Sequence, residues 1–224
     1  MTSRPSEWRL PTWGAAILAL LVASCTTSPS PTVSTALRPT TSTTVTTVTT
    51  AASTTTVPIN AAVLLESALA TYADGYRFSS VAIVNGAEVG SVEGIVIGDQ
   101  SQVDIHSGDA TVTYLITPTQ RWVRVEGGEW DLLTEEAPAS DPMAAFADPA
   151  NLSVVDASSG HVVLSGTYPA TRFGGSEGSL ELTMTFQDGL LVEASYQNDG
   201  DVATEVTTTF SPLQETDAIV VPVP

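Results

Sequence analysis

The chain has no lysine, two histidines and one cysteine in 224 residues. Without lysine, seven arginines are the only fixed positive side chains against 25 aspartates and glutamates, and the net charge is −18. Such a surface repels phosphates, which excludes nucleic acid as a partner. It also lacks the polybasic cluster that holds a protein on anionic lipid. One cysteine, Cys25, cannot form an internal disulfide, and His106 and His161 stand too far apart in sequence to suggest a metal-ligand cluster. No metal and no cofactor are implied. After residue 58 no apolar run is long enough to cross a membrane.

What is present begins with the neighbours of Cys25. Arg4 and Arg9 precede an apolar segment from Gly14 to Ala23, and the small Ser24 stands directly before the cysteine. That is the layout of a secretory signal ending at a cleavage point, and it is shorter than the roughly 20 apolar residues of a spanning helix. Val22-Ala23-Ser24-Cys25 also resembles the bacterial lipobox. The resemblance implies that residues 1–24 are a lipoprotein signal peptide and that the Cys25 sulfur carries the lipid, with chains of the palmitate kind. A plain secretory signal abutting a cysteine is the alternative. Residues 26–58 are nearly all Thr, Ser, Pro, Ala and Val, with Arg38 the single charge and no aromatic residue. Such a segment buries too little apolar surface to offset its ordering entropy. Residues 25–58 therefore read as a lipidated cysteine followed by a disordered tether, spanning on the order of 30 Å as a coil and about 110 Å stretched.

Residues 59–224 read as one domain, large enough to bury roughly 70% of its unfolded surface without a disulfide. It opens on Pro58 and Asn60, start signals for a helix in which Ala61, Leu64, Leu65, Ala68, Leu69 and Tyr72 recur on one stripe until Gly75. The period then changes to two. Leu180, Leu182, Met184 and Phe186 alternate with Glu181, Thr183 and Thr185. Turn pairs at Asn85-Gly86, Ser107-Gly108, Gly127-Gly128, Ser159-Gly160, Asp188-Gly189 and Asp199-Gly200 separate the runs. Ten strands are predicted near 76–84, 88–97, 102–107, 110–117, 121–125, 152–157, 161–168, 179–187, 190–198 and 203–211, forming an antiparallel meander. Midway, Asp141-Pro142 starts a short helix with Met143, Ala144 and Phe146 facing inward, expected to lie across the sheet.

Patterns that suggest an enzyme lack their context. Gly174-Gly175-Ser176-Glu177-Gly178 matches a nucleophile elbow, yet a strand follows where a helix is required, so a hairpin loop is the better reading. His106 and His161 each sit beside a Ser-Gly turn without an obvious partner. Residues 198–201 echo part of a calcium loop without its later glutamate and read as a turn. No glycine-rich loop joins a strand to a helix, so nucleotide binding has no support. The expectation is that the protein is not an enzyme.

The lipobox, the Thr-rich tether, a helix leading into "YRFSSVAIVNGAEVGSVEG", a meander containing "RWVRVEGGEWDLL", a mid-chain "DPMAAF" helix and a closing "TTTFSPLQETDAIVVP" follow one another in a familiar order. Together they resemble the actinobacterial LppX/LprG-type lipoproteins, relatives of the LolA lipoprotein carriers. The resemblance implies an α+β fold, a curved, half-open antiparallel barrel whose concave face is covered by helices and encloses an apolar cavity over residues 59–224. It implies an acyl lipid or glycolipid as ligand, with Leu180, Leu182, Met184 and Phe186 as cavity wall. Tyr114, Trp122 and Trp130 would stand near the rim, and Met143 and Phe146 on the covering helix. Each methylene moved from water into such a cleft contributes about 0.8 kcal/mol, so lipid binding needs no catalytic residue. The protein is then expected outside the cytoplasm as a monomer, anchored to the outer face of the cell membrane through Cys25, binding or transferring lipid at the envelope. Core packing alone gives the same alternation. The alternative is therefore a surface-displayed interaction or scaffold module with a filled core and no lipid.

Overall fold

In a computed structural model, residues 58–134, 142–175, 177–198 and 203–222 are described. The signal segment, Cys25, the tether up to residue 57, Ser176 and the Asp199-Gly200 turn lie outside the described residues. Among the described residues one helix, α1 (Ala61–Thr71), leads into eleven strands. The first six are β1 (Gly75–Val84), β2 (Ala87–Ile97), β3 (Gln100–Ser107), β4 (Ala110–Ile116), β5 (Arg121–Val125) and β6 (Asp131–Leu132). A 3-10 turn, η1 (Pro142–Phe146), precedes β7 (Ala150–Ser158) and β8 (His161–Pro169). A second, η2 (Ala170–Phe173), precedes β9 (Ser179–Gln187), β10 (Leu190–Asn198) and β11 (Thr204–Pro212).

All strands join one antiparallel sheet in the order β6-β5-β4-β3-β2-β1-β11-β10-β9-β8-β7. Two meanders thus lie side by side, sewn together where β1 pairs with β11 and Phe78 stands opposite Phe210. The sheet does not close on itself, because β6 and β7 are its two edges. The chain between them must therefore travel from one edge to the other, and η1 is part of that crossing. The expected mid-chain helix is a single 3-10 turn whose Met143 and Phe146 are buried; Ala144, expected inward, is exposed, and Ala145 packs on the core instead.

The hairpins follow their turn residues. Asn85 and Gly86 both adopt positive φ, as do Asp188 and Gly189, the two-residue geometry that matches strand twist. The loop after β5 turns on Glu126 and Gly127, one residue earlier than the expected glycine pair.

Residues directly opposite in paired strands share a face, so the register divides the sheet into two. The core face carries Tyr76, Phe78, Val92, Val103, Tyr114, Leu164, Tyr168, Leu182, Met184, Phe186 and Phe210. Against it α1 presses the stripe read from the sequence, with Leu65, Ala68 and Tyr72 buried and Ala61, Leu64 and Leu69 beside them. Asn60 caps the helix by accepting from the Val63 amide at 3.3 Å, and the Tyr72 hydroxyl donates to the Leu191 carbonyl at 2.8 Å, tying the helix end to β10. On the outer face Leu115, Trp122 and Thr113 are buried, apart from the main core.

Candidate functional site

The core face is filled where the helix covers it. Leu182, Met184 and Phe186 are 1%, 0% and 1% exposed, and Leu180 packs half-buried beside them. These four alternate along β9 as the sequence pattern requires, so they do form a continuous apolar wall. The structure brings Met143 and Phe146 of η1 onto the same cluster.

η1 is a wedge supplied from outside the sheet. The Phe146 ring meets Phe173 at 5.4 Å, Phe210 at 5.5 Å and Tyr168 at 6.4 Å, all edge to face. Such contacts add about 0.5–1.5 kcal/mol each beyond area burial. Two polar bonds hold its backbone and a third holds the residue after it. The Met143 amide donates to the Tyr76 hydroxyl at 3.1 Å, the Tyr168 hydroxyl donates to the Phe146 carbonyl at 3.0 Å, and the Arg172 guanidinium donates to the Ala147 carbonyl. The Tyr168 oxygen also lies 3.4 Å from the Met184 sulfur, so one hydroxyl touches both the wedge and the wall. Burial pushes the Tyr168 hydroxyl well above its ordinary value, with Arg172 opposing, and pushes Tyr196 up to about 12. Both stay neutral O–H groups through the physiological range.

Beyond β2 the covering thins. Ile105, Val112, Tyr114, Ile116 and Val123 are half-buried on the core face, and Val125 is 57% exposed at its end. Tyr114 is thus placed on this face, opposite Val103 and Val123. Trp122 is not. It stands opposite Leu115, one position out of phase with Tyr114, and so lies buried on the outer face. Trp130 goes with it. Its ring lies 4.6 Å from the Arg124 guanidinium carbon, and Arg124 stands opposite Thr113 on that same outer face. The expected aromatic rim is therefore split, with only Tyr114 on the side of the wall. The Arg124 Nε and the Arg121 Nη1 are buried and make no hydrogen bond among the described residues.

Sequence reasoning missed Tyr76, Tyr168, Phe173, Phe210 and Arg172. Tyr76 and Phe78, like Leu164, Gly166 and Tyr168, alternate inward along their strands, a signal present in the sequence. That the two tyrosines meet η1 follows only from the crossing of the sheet. The other residues tested lie elsewhere. His106 is on the outer face with Nδ1 3.0 Å from the Thr111 hydroxyl, and His161 begins β8. Among the described residues no group of His, Cys, Asp and Glu is placed to hold a metal, and no helix is long and apolar enough to cross a membrane.

No family model and no curated protein matches the chain. Among solved structures it is similar to a LolA superfamily protein from Nitrosomonas europaea, with 12% identity, 70% of this chain and 95% of that one covered, and a TM-score of 0.31.

Proposed function

We propose that the protein is a lipid-binding lipoprotein of the cell envelope, a binding protein rather than an enzyme, held at the outer face of the membrane by acylated Cys25. The observation that carries this reading is the wedge. The residues that fill the middle of the apolar face come from a five-residue turn outside the sheet, held, together with the residue after it, by polar bonds to Tyr76, Tyr168 and Arg172. If Met143 and Phe146 lift, the side chains beneath them, Met184 and Phe210 among them, become the lining of an apolar hollow that continues toward half-covered Tyr114 and Val123. An acyl chain regains there the burial that the wedge gives up, at about 0.8 kcal/mol per methylene. The tether would let the domain take up its lipid away from the anchoring point.

The filled core also favours a second reading. Leu182, Met184 and Phe186 are shielded as fully as any residues of an ordinary core, which suits an interaction module without a lipid ligand. One experiment separates the two. The chain from residue 26 onward is purified, examined for retained lipid by native mass spectrometry, and titrated with a fluorescent long-chain fatty acid. Tyr168→Phe removes the hydroxyl that touches wedge and wall and costs about 1 kcal/mol of stability. A lipid carrier takes up the probe, and Tyr168→Phe takes it up several times faster. Wild type that carries no lipid and binds no probe, together with an equally inert Tyr168→Phe that remains folded, rejects lipid binding.

A further inference from the structure

A hollow lies on the side of the sheet away from the wedge. It is an open groove of about 460 Å³ floored by outer-face residues of β1, β2, β3 and β11, within the roughly 300–1,000 Å³ of small-ligand sites. One wall is the segment after β11. Arg77 forms a two-pronged ion pair with Asp217, Nε to Oδ2 at 2.8 Å and Nη2 to Oδ1, and the Asp217 carboxylate also accepts from the Gln214 amide at 2.8 Å. This pins the segment so that Ala218 lines the groove.

The floor carries two rows of side chains, all but Ile95 able to hydrogen-bond, with Phe78, Gly94 and Phe210 also in the lining. One row across the strands reads Thr209, Ser79, Glu93, Asp104, and the next reads Ser211, Arg77, Ile95, Gln102. Among the described residues the side chains of Ser79, Glu93, Gln102, Asp104 and Ser211 make no hydrogen bond or ion pair. Their chemistry selects a ligand class. Glu93 and Asp104 stand directly opposite each other; ionised, they only accept, so the ligand must donate. In a chain of net charge −18 they also turn away anions. Ser79, Ser211 and Gln102 both donate and accept, so the ligand must do both, whereas lysine or arginine side chains only donate and would leave the donors of these three residues without an acceptor. Apolar molecules leave these groups unpaired at a cost. Neighbouring hydroxyls meet every condition, since each hydroxyl donates once and accepts twice and carboxylate acceptors strengthen the bond.

We propose that this outer groove binds a neutral glycan chain. The groove is open, so a longer polymer runs through it. It lies on the face opposite the wedge, and the site holds or fails independently of lipid binding.

The test uses the full chain without its signal segment, titrated calorimetrically with glucan, mannan, galactan and arabinan oligosaccharides of four to six units. Hexalysine and inositol hexakisphosphate serve as charged counter-probes. At least one oligosaccharide is expected to bind. Asp104→Asn and Gln102→Ala should each weaken it by about tenfold or more, the worth of one good hydrogen bond to a charged or well-placed polar group. Thr207→Ala, on the same face of β11 but outside the groove, should leave binding unchanged; thermal melts confirm that each variant is folded. The proposal is overturned if no oligosaccharide binds at about 10 mM, if folded Asp104→Asn and Gln102→Ala bind as wild type does, or if hexalysine alone binds.

Discussion

Gly75 is where the chain passes from helix to sheet, and no other residue fits there. Its φ is +143°, and a Cβ at that position would fall 2.4 Å from the Val96 carbonyl oxygen and 2.6 Å from Leu213 Cδ1. Gly75→Ala combines a strained backbone with a backbone clash and is expected to cost about 2–3 kcal/mol, lowering the melting temperature by roughly 5–10 °C. A melt within 1–2 °C of wild type would mean that the entry to β1 relaxes freely. Two residues further on, Arg77 and then the Gln214 amide hold the Asp217 carboxyl at about 2, below its ordinary 3.8. A carboxylate whose folded value is lowered stabilises fully above its unfolded value and loses that effect as pH falls through the folded one. The gap in melting temperature between wild type and Asp217→Asn should therefore be widest at pH 7, begin to close below about pH 4 and be small near pH 2. A gap of constant size from pH 7 to pH 2 would remove the ion pair as its cause.

Among the elements, β9 and η1 show how far alternation alone reaches. The inward period of β9 was legible because every second residue is large and apolar, and the structure buries Leu182, Met184 and Phe186 accordingly. The sequence placed Met143 and Phe146 over them, but what holds η1 there was not legible, since Tyr76, Tyr168 and Arg172 meet it only through a crossing between the two sheet edges. Leu182 stands opposite Gly166 and Tyr196, and the space over Gly166 is already taken by Pro149, Leu152 and Tyr168. Leu182→Trp is thus expected to overpack, costing about 1–3 kcal/mol in a denaturant melt. In a lipid-binding protein the same variant also loses the fatty-acid probe. Normal stability with full probe uptake would place the bound chain elsewhere, nearer Tyr114. The two misplaced tryptophans have an equally simple cause. One residue of register moves a side chain to the opposite face, and Trp122 pairs with Leu115 rather than with Tyr114.

For the whole molecule the decisive question is where the domain is held. Residues 1–57 lie outside the described residues, so the proposed anchor rests on the sequence around Cys25 alone. A single acyl chain gives only marginal membrane binding, whereas two or more give a stable anchor. Cys25→Ser is expected to leave the protein either unprocessed or released from the membrane, followed by fractionation and intact mass. A processed, tightly membrane-bound Cys25→Ser protein would assign the attachment to another part of the chain. The charge of −18 makes electrostatic adhesion to anionic lipid a poor substitute for the missing anchor.

Local chemistry determined what is local. The helix stripe of α1, the ten long strands and the glycine turns at 86 and 189 were all written in the sequence, because period and turn conformation depend on residues a few positions apart. Only the tertiary structure decided how the two meanders meet. The pairing of Phe78 with Phe210 joins segments that no local pattern links. That one junction makes a single open sheet, sends the connection across its face and sets η1 on the wall. It also assembles the outer groove, from residues of four strands and a terminal segment that lie far apart in the sequence and share no pattern there. Which face a side chain occupies, and whether an apolar face is covered by its own chain, depends on register and on long-range crossings, and periodicity carries neither.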